Sequence, residues 1–280
     1  MAAAAAHRFG PLPADAALPE PAYTDNAPRV SAMCSPPVCA GETEWYPPVM
    51  LGAQAIGVDL TANAPRYVQE ALALLGRLEA DAYSIYVTDF YKRGLERYGA
   101  SWGYADIVTT LLALSARVKP GNYLEIGVRR GRSVCSVASV APACDLVMFD
   151  MWVRNYAGMD NPGPELVASE LDKIGHTGQR AFISGNSHET VKRYFAENPN
   201  AFFDIITVDG DHSNMGAAED IADVLPRLKV GGVIVFDDVS NHNVAGLRDV
   251  WRRMVAENPR FSAFTYDDVG YGVGIAVRKF

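Results

Sequence analysis

The chain has few cysteines and a deficit of positive charge. Cys34, Cys39, Cys135 and Cys144 form no C-x-x-C pair in a chain of 280 residues. This spacing argues against a disulfide scaffold or a zinc site, and we therefore expect a reducing, cytoplasmic compartment. The 25 lysines and arginines are outnumbered by 33 aspartates and glutamates. Because no basic cluster is dense enough to neutralise a phosphate backbone, we expect no nucleic-acid partner.

Long apolar runs are also missing. No stretch approaches the roughly 20 consecutive apolar residues that are needed to cross a bilayer. Met1 is followed by five alanines, but neither a basic region nor a sustained apolar stretch accompanies them. We therefore expect neither a signal peptide nor a membrane partner. Hydrophobic residues still make up 49% of the chain, which is ample for a core in one large domain or two small ones.

Three regions differ in composition. Residues 1–60 are rich in Pro, Ala and Gly without periodicity, which predicts an extended or partly disordered arm that either wraps a neighbour or is an inert tail. In residues 61–104, apolar side chains recur at helical spacing, from Val68 to Leu78 and from Tyr83 to Tyr91. This pattern predicts helices that pack on the main domain or form a cap or lid over a substrate pocket. The arm and these helices together suggest a homo-oligomer.

From residue 105 to residue 280, predicted strands alternate with predicted helices. The helices are expected at 107–118, 133–140, 165–174, 188–195, 215–228 and 244–255, and the strands at 122–126, 146–149, 180–183, 203–208, 230–236, 261–266 and 272–277. Repeated βα units imply an α/β fold with a parallel sheet and helices on both faces. The last two strands have no helix between them, which predicts an antiparallel hairpin at one edge of the sheet.

A glycine-containing loop follows the first of these strands and opens a helix. Glu125, Gly127 and Gly131 form an E-x-G-x-x-x-G pattern, and a helix N-terminus there offers free N–H groups to an anion. The loop lacks the first turn glycine of the dinucleotide fingerprint, so a ligand with a carboxylate fits better than one with a pyrophosphate. Asp150 ends the second strand, where an acid can accept both hydroxyls of a ribose. The two features together predict a nucleoside-containing ligand.

Acidic side chains end two further strands. Asp209, Asp211 and His212 follow the fourth strand, and Asp237 and Asp238 follow the fifth. The four carboxylates would converge at one edge of the sheet, where their mutual repulsion favours a divalent metal with oxygen ligands. Because successive strand residues face opposite ways, Asp237 and Asp238 can both bind that metal only if the chain turns there.

From about residue 105 to residue 279 the chain resembles class I S-adenosylmethionine-dependent methyltransferases. The motifs that carry the resemblance are the glycine loop, the acid after the second strand, Gly185-Asn186-Ser187 after the third strand, and Leu228-Lys229-Val230-Gly231-Gly232 before the fifth. The resemblance implies a Rossmann-like, seven-stranded, mostly parallel sheet with an antiparallel last strand, here preceded by extra N-terminal helices. The resemblance also implies a set of residues that bind S-adenosylmethionine. Glu125 would order the loop, Gly127 and Gly131 would lie against the methionine part, and Ser133 would meet its carboxylate. Asp150 would bind the ribose, Asn186 and Ser187 would lie near the adenine, and Asp209 would also belong to the cofactor site.

The acidic clusters resemble those of metal-dependent small-molecule O-methyltransferases, and most of all the macrocin and aminocoumarin type that acts on sugars of natural products. That resemblance implies Asp209, Asp237 and Asp238 as ligands of Mg²⁺ or another divalent cation. It also implies Asp211 as the general base that acts on a small-molecule acceptor.

Alternatives to these roles stay open at the level of sequence. Asp211 could cap the strand end, His212 could be the base because an imidazole titrates near neutral pH, and His242 could line the pocket or cap a helix. His176 and His188 are expected at the surface. The competing functions are methylation of a catechol-like phenol, other chemistry on the same cofactor, and a non-enzymatic cofactor-binding partner.

Overall fold

The computed structural model describes residues 11–24, 26–30, 38–40, 43–46, 62–155, 160–268 and 270–280, with only the backbone for 38–40 and 43–46. Much of the predicted arm, including Cys34, lies outside these residues. Two short strands of the arm, β1 (Val38–Ala40) and β2 (Thr43–Tyr46), pair antiparallel with each other. No helix in the described ranges is both long enough and apolar enough to span a membrane.

A seven-stranded sheet forms the centre of the fold, which confirms the predicted class. Its strands are β3 (Asn122–Ile126), β4 (Asp145–Asp150), β5 (Arg180–Ser184), β6 (Phe203–Val208), β7 (Leu228–Asp237), β8 (Phe261–Tyr266) and β9 (Val273–Arg278). They lie in the order β5-β4-β3-β6-β7-β9-β8. Strands β3 to β7 pair in parallel, whereas β9 runs antiparallel to both of its neighbours. The predicted hairpin is therefore confirmed, and β9 inserts between β7 and the edge strand β8.

Helices flank the sheet on both faces. They are α1 (Pro65–Leu75), α2 (Ala82–Tyr98), α3 (Ile107–Val118), α4 (Arg132–Val140), α5 (Pro164–Ile174), α6 (Ser187–Glu197), α7 (Asn214–Val224) and α8 (Leu247–Trp251), the last continued by a π-helical segment at Arg252–Ala256. Asp81 and Asp106 accept hydrogen bonds from the third residue of α2 and of α3, respectively. These capping boxes satisfy backbone N–H groups that would otherwise lack partners.

Two predicted helices have different bounds in the structure. The helix expected at 215–228 ends at Val224 and is followed by a 3₁₀ turn at Leu225–Arg227. Pro226 explains this early end, because proline has no N–H to donate within a helix. The helix expected at 244–255 begins only at Leu247, after Gly246 with a φ of +111°. That left-handed conformation cannot belong to a right-handed helix.

The two faces of the sheet carry separate apolar cores. Tyr123 packs in the core beneath α1, α3, α4 and α5, and its neighbour Leu124 packs in the core beneath α6, α7 and α8. Successive strand residues face opposite sides, so both faces are apolar along β3. Val68 of α1 and Tyr91 of α2 are completely buried in the first core. The two N-terminal helices therefore pack on the main domain, where α1 contacts α2, α3 and α4.

The described residues of the arm at 11–24 and 26–30 pack on their own chain. Leu12 and Val30 are buried. The Val30 N–H donates to the carbonyl of Val230 at 2.9 Å, and the Val230 N–H donates to the carbonyl of Pro28 at 2.9 Å. Tyr23 adds an aromatic contact with Phe261, with ring centroids 6.5 Å apart. This part of the arm therefore packs on its own chain with almost no regular secondary structure, and its contact with a neighbouring molecule stays a prediction.

Candidate active site

A large cavity opens at the carboxyl ends of β3, β4, β6 and β7. Its volume is approximately 1240 Å³, which exceeds the roughly 300–1,000 Å³ that is usual for one small ligand. The cavity can therefore hold a cofactor and an acceptor together. Its lining combines the glycine loop, strand-end acids and aromatic side chains of α2, and it includes Tyr83, Tyr86, Phe90, Tyr91, Tyr104, Gly127, Arg129, Arg132, Ser133, Asp150, Asn186, Ser187, Asp209, Asp211, His212, Asp237, Asp238 and Tyr271.

The glycine loop lies against the end of β6. Gly127 has a φ of +92°, and a Cβ atom added to it would lie 1.9 Å from the carbonyl oxygen of Asp209. No side chain fits at that distance, so glycine is required for this close approach. Gly131, with a φ of +73°, is the residue that precedes α4. The loop thus brings the start of α4 and the acids of β6 to the same cavity.

Glu125 connects the end of β3 to the start of α4 through side-chain hydrogen bonds. It is completely buried and accepts hydrogen bonds from the hydroxyl of Tyr123 at 2.5 Å and from the hydroxyl of Ser133. Burial raises the pKa of Glu125 to about 8, against the opposing effect of these hydrogen bonds. The role expected for Glu125 in ordering the loop agrees with this geometry. The Ser133 hydroxyl donates to Glu125 in this structure. The contact expected between Ser133 and the carboxylate of a cofactor stays a prediction.

Asp150 lies at the end of β4 with most of its acceptor capacity in use. Its Oδ2 accepts the N–H of Arg129 at 2.7 Å, and its Oδ1 accepts the N–H of Trp152 at 2.5 Å and the side-chain amide of Asn161 at 3.3 Å. A carboxylate offers about four acceptor positions. At least one position therefore remains for a ribose hydroxyl, and the expected binding of both hydroxyls stays a prediction.

Asn186 and Ser187 line the same end of the cavity as Asp150. The side-chain oxygen of Asn186 accepts the N–H of His188 at 3.1 Å and so caps α6. Ser187 hydrogen-bonds to the buried carboxylate of Asp220. Both residues lie where the adenine is expected, but these side-chain contacts organise the loop before α6.

Three carboxylates, those of Asp209, Asp237 and Asp238, lie close enough to repel one another across the ends of β6 and β7. The chain turns at Asp238, which has a φ of +59°, so Asp238 does not continue the alternation of β7. Burial, together with repulsion from Asp209 and Asp238, raises the pKa of Asp237 well above its usual range, and burial also raises the pKa of Asp209. Hard oxygen donors of this kind suit Mg²⁺. No three potential ligand side chains among the described residues are already gathered around one metal position.

His212 lies between two of these carboxylates. Its Nε2 is 3.5 Å from Oδ1 of Asp209 and 3.2 Å from Oδ2 of Asp238. Burial alone would lower the pKa of His212, but hydrogen bonds and charge attraction from both acids outweigh burial and raise it to about 12. His212 is therefore protonated in this arrangement, and the choice between Asp211 and His212 as the base stays a prediction.

Asp211 is bound by its own loop and by a histidine of α6. Its Oδ1 accepts the N–H of Ser213 at 2.7 Å, and its Oδ2 lies 3.3 Å from Nε2 of His188. Burial would raise the pKa of Asp211, but the contacts with Ser213 and His188 outweigh it and lower the pKa. Asp211 is therefore ionised at neutral pH and can accept a proton. The first of these contacts also agrees with the alternative in which Asp211 is a local cap.

The other histidines differ from expectation. His188 is not a surface residue: its side chain is only 20% exposed and lies beside Asp211. His176, also expected at the surface, is buried, and its Nε2 lies 2.7 Å from the carbonyl of Cys144. His242 is exposed, packs against the ring of Tyr271 with centroids 5.4 Å apart, and does not line the cavity. The structure thus does not bring His242 to the site, because the turn after Asp238 directs it outwards.

Arg129 is a residue of the site that the sequence analysis missed. It lines the cavity within the glycine loop and has a φ of +52°. The only sequence signal was the run of arginines at positions 129, 130 and 132, and nothing in that run indicates which side chain faces the cavity.

Comparisons with known proteins agree with this geometry. Residues 124–239 match a family described as a methyltransferase domain, and no curated protein matches the chain. The structure of TomG, an O-methyltransferase from Streptomyces achromogenes involved in tomaymycin synthesis, superposes with a TM-score of 0.51 and 22% identity, covering 72% of this chain and 92% of TomG.

Two further solved structures are similar at lower scores. CalS11, a TDP-rhamnose 3'-O-methyltransferase of calicheamicin biosynthesis, has a TM-score of 0.49 and 20% identity over 76% of this chain and 93% of its own. The Podospora anserina methyltransferase PaMTH1 has a TM-score of 0.47 and 17% identity over 69% and 87%. Residues 124–239 are thus similar to a methyltransferase domain, and the chain shares the fold of TomG.

Proposed function

We propose that the protein transfers a methyl group from S-adenosylmethionine to a hydroxyl of a small molecule, with the help of a divalent cation. One observation carries this proposal: a single cavity joins the glycine loop and Asp150 to the carboxylates of Asp209, Asp237 and Asp238. The first pair suits a nucleoside with an amino-acid tail. The carboxylates suit Mg²⁺ and the hydroxyl of an acceptor. Methyl transfer is the reaction that needs both groups side by side.

Each residue group of the cavity would have a separate role in this reaction. Asp150 would bind the ribose, and Gly127 would leave room for the methionine part above the loop. Asp209, Asp237 and Asp238 would hold Mg²⁺, which supplies a lowered pKa and a fixed orientation for an acceptor hydroxyl. Asp211 would accept the proton of that hydroxyl. Bound S-adenosylmethionine would supply the methyl group, and the cavity would hold the acceptor hydroxyl beside it, a positioning that would account for much of the rate.

The aromatic side chains of the cavity favour a ring-shaped acceptor. Tyr83, Tyr86 and Phe90 project from α2 into it, and Tyr271 lines the opposite rim. Aromatic faces of this kind pack against sugar or phenol rings. We therefore propose a natural-product sugar as the acceptor, with a catechol-like phenol as the alternative. Product analysis with both acceptor classes separates the two.

Calorimetric titration of S-adenosylmethionine into metal-free protein, repeated with Mg²⁺, tests the proposal. We expect saturable binding in both titrations, at one site per chain. Asp237→Asn should abolish turnover and leave cofactor affinity nearly unchanged, and the exposed Asp249→Asn serves as the matched control. Full activity in excess EDTA would exclude a role for a divalent cation in the reaction. A chain that binds no cofactor in either titration would not be this methyltransferase.

The compartment and the assembly state are part of the same proposal. Cys135 and Cys144 are buried free thiols, which suits a reducing cytoplasm. Homo-oligomerisation stays a prediction, and a monomer mass in light scattering would reject it.

A further inference from the structure

The glycine loop carries three arginines, and two of them are paired. Arg130 is buried and contacts Glu79 at 3.0 Å, Asp160 at 3.3 Å and Asp81 at 3.5 Å. Arg132 contacts both carboxylate oxygens of Asp81 at 3.2 Å. Each of these guanidinium groups is neutralised by carboxylates of the protein.

Arg129 differs from both. Its backbone N–H is bound to Asp150, but its side-chain Nε and Nη2 are buried and have no hydrogen-bond partner among the described residues. The pKa of its guanidinium is lowered, because burial disfavours the charge and Arg132 repels it. A buried charge without a partner is costly, so this side chain suits a ligand that supplies the missing acceptors.

The surroundings place that ligand beside α2. The charged and polar groups that act on Arg129 are Arg132, Asp81, Asp209 and Tyr83, and Arg132 itself lies over the ring of Tyr83 at 4.8 Å. Burial and the negative charges of Asp237 and Asp238 in turn raise the pKa of Tyr83. The side chain of Arg129 thus lies within the electrostatic reach of Asp81 and Asp209, in the cavity that the aromatic side chains of α2 also line.

We propose that Arg129 binds an anionic group, a carboxylate or a phosphate, on the acceptor. A guanidinium forms bidentate hydrogen bonds with either group. The inference rests on the proposed function and narrows it: the acceptor is a ring compound that bears a negative charge near the methylated hydroxyl. The carboxylate of S-adenosylmethionine is the other possible source of the anion, and the experiment separates the two sources.

The test uses benzoate and its uncharged analogue benzamide on metal-free protein saturated with S-adenosylhomocysteine. We expect the wild type to bind benzoate about tenfold or more tightly than benzamide, as a charge-assisted hydrogen bond allows. Arg129→Gln should remove that preference, and Arg129→Lys should keep part of it. The exposed Arg117→Gln should behave like the wild type. Affinity for S-adenosylhomocysteine should stay within about twofold in all variants, which also shows that they fold.

Three results would overturn the proposal. The preference for benzoate persists in Arg129→Gln, or the wild type shows no affinity for benzoate, phenyl phosphate or inorganic phosphate. In the third result, Arg129→Gln weakens S-adenosylhomocysteine but not methylthioadenosine, which lacks the carboxylate, and the anion is then the cofactor's. If the wild type fails to bind S-adenosylhomocysteine at all, the proposed function fails separately, and the same anion titrations on unloaded protein still test Arg129.

Discussion

Ionisation of Glu125 should make the stability of this protein depend on pH. The folded protein keeps this carboxyl protonated up to a pKa of about 8, whereas its ordinary value is 4.5. Between these values the folded state binds more protons than the unfolded state, so the free energy of unfolding falls as pH rises. The stabilisation is fully present below the lower value and is lost by the upper one. At about 1.4 kcal/mol per pH unit, the difference amounts to about 5 kcal/mol.

Glu125→Gln removes this titration and keeps a side chain that can accept a hydrogen bond from Tyr123 or Ser133. As pH rises from about 5 to about 9, we expect the free energy of unfolding of the variant to increase relative to that of the wild type, by up to about 5 kcal/mol. Urea unfolding of both proteins, free of metal and cofactor, measures this difference at each pH. Burial also raises the pKa of Asp209, Asp220 and Asp237. Asp220 and Asp237 titrate in both proteins and largely cancel in the comparison, whereas Asp209, whose charge acts on Glu125, adds a smaller difference of its own.

Parallel stability curves for the two proteins would refute this reasoning. They would mean that the hydroxyls of Tyr123 and Ser133 hold Glu125 as a carboxylate, so that hydrogen bonding outweighs burial. A cofactor titration at each pH serves as the control, because it shows whether the variant still has an ordered loop.

Further substitutions test individual contacts. Gly127→Ala should cost more than about 2 kcal/mol and weaken S-adenosylhomocysteine at least about tenfold, since its Cβ would overlap a backbone carbonyl. Gly175→Ala, also left-handed but with no atom within 4 Å of the added Cβ, should cost only about 1 kcal/mol in urea unfolding, and equal costs would contradict the steric argument. Tyr123→Phe should cost about 1–2 kcal/mol, because Glu125 loses a buried donor; an unchanged urea midpoint would show that this bond contributes nothing. Arg130→Gln should cost more than about 2 kcal/mol in thermal unfolding, whereas Arg93→Gln, whose guanidinium is 77% exposed, should change stability by less than about 0.5 kcal/mol; similar shifts in both would argue against a structural role for the buried pair.

The sheet was predictable because its signal is local. Runs such as Phe203–Val208 are apolar throughout, which is typical of strands buried on both faces. The start of β7 was less readable. Leu228 pairs with Phe203, but the next pair joins Ile205 to Val233, so the strand contains an irregularity around Gly231 and Gly232. A glycine pair inside an apolar run indicates a bulge or a turn equally well, and the sequence analysis began this strand two residues late.

The acids of the site were predictable for a different reason. Parallel strands end at the same edge of the sheet, so Asp150, Asp209 and Asp237 must lie near one another once the strand order is known. Which side chains contact these acids depends on loops. His212 lies between Asp209 and Asp238 because the chain turns at Asp238. No local sequence pattern predicts the left-handed backbone conformation of that aspartate.

The sequence did not reveal two side chains of the site, those of His188 and Arg129. His188 is far in sequence from the acid that it contacts, and Arg129 differs from the neighbouring arginines in the direction of its side chain. His188 meets Asp211 across 23 residues, because β5 and β6 deliver the two loops to the same edge of the sheet. Arg129 is followed by paired arginines at positions 130 and 132, and it differs from them in where its side chain points. Direction within a loop is set by tertiary contacts, here the hydrogen bond from its backbone to Asp150. Side chains whose direction is set by tertiary contacts therefore had to be found in the structure, whereas the acids at the strand ends could be found in the sequence.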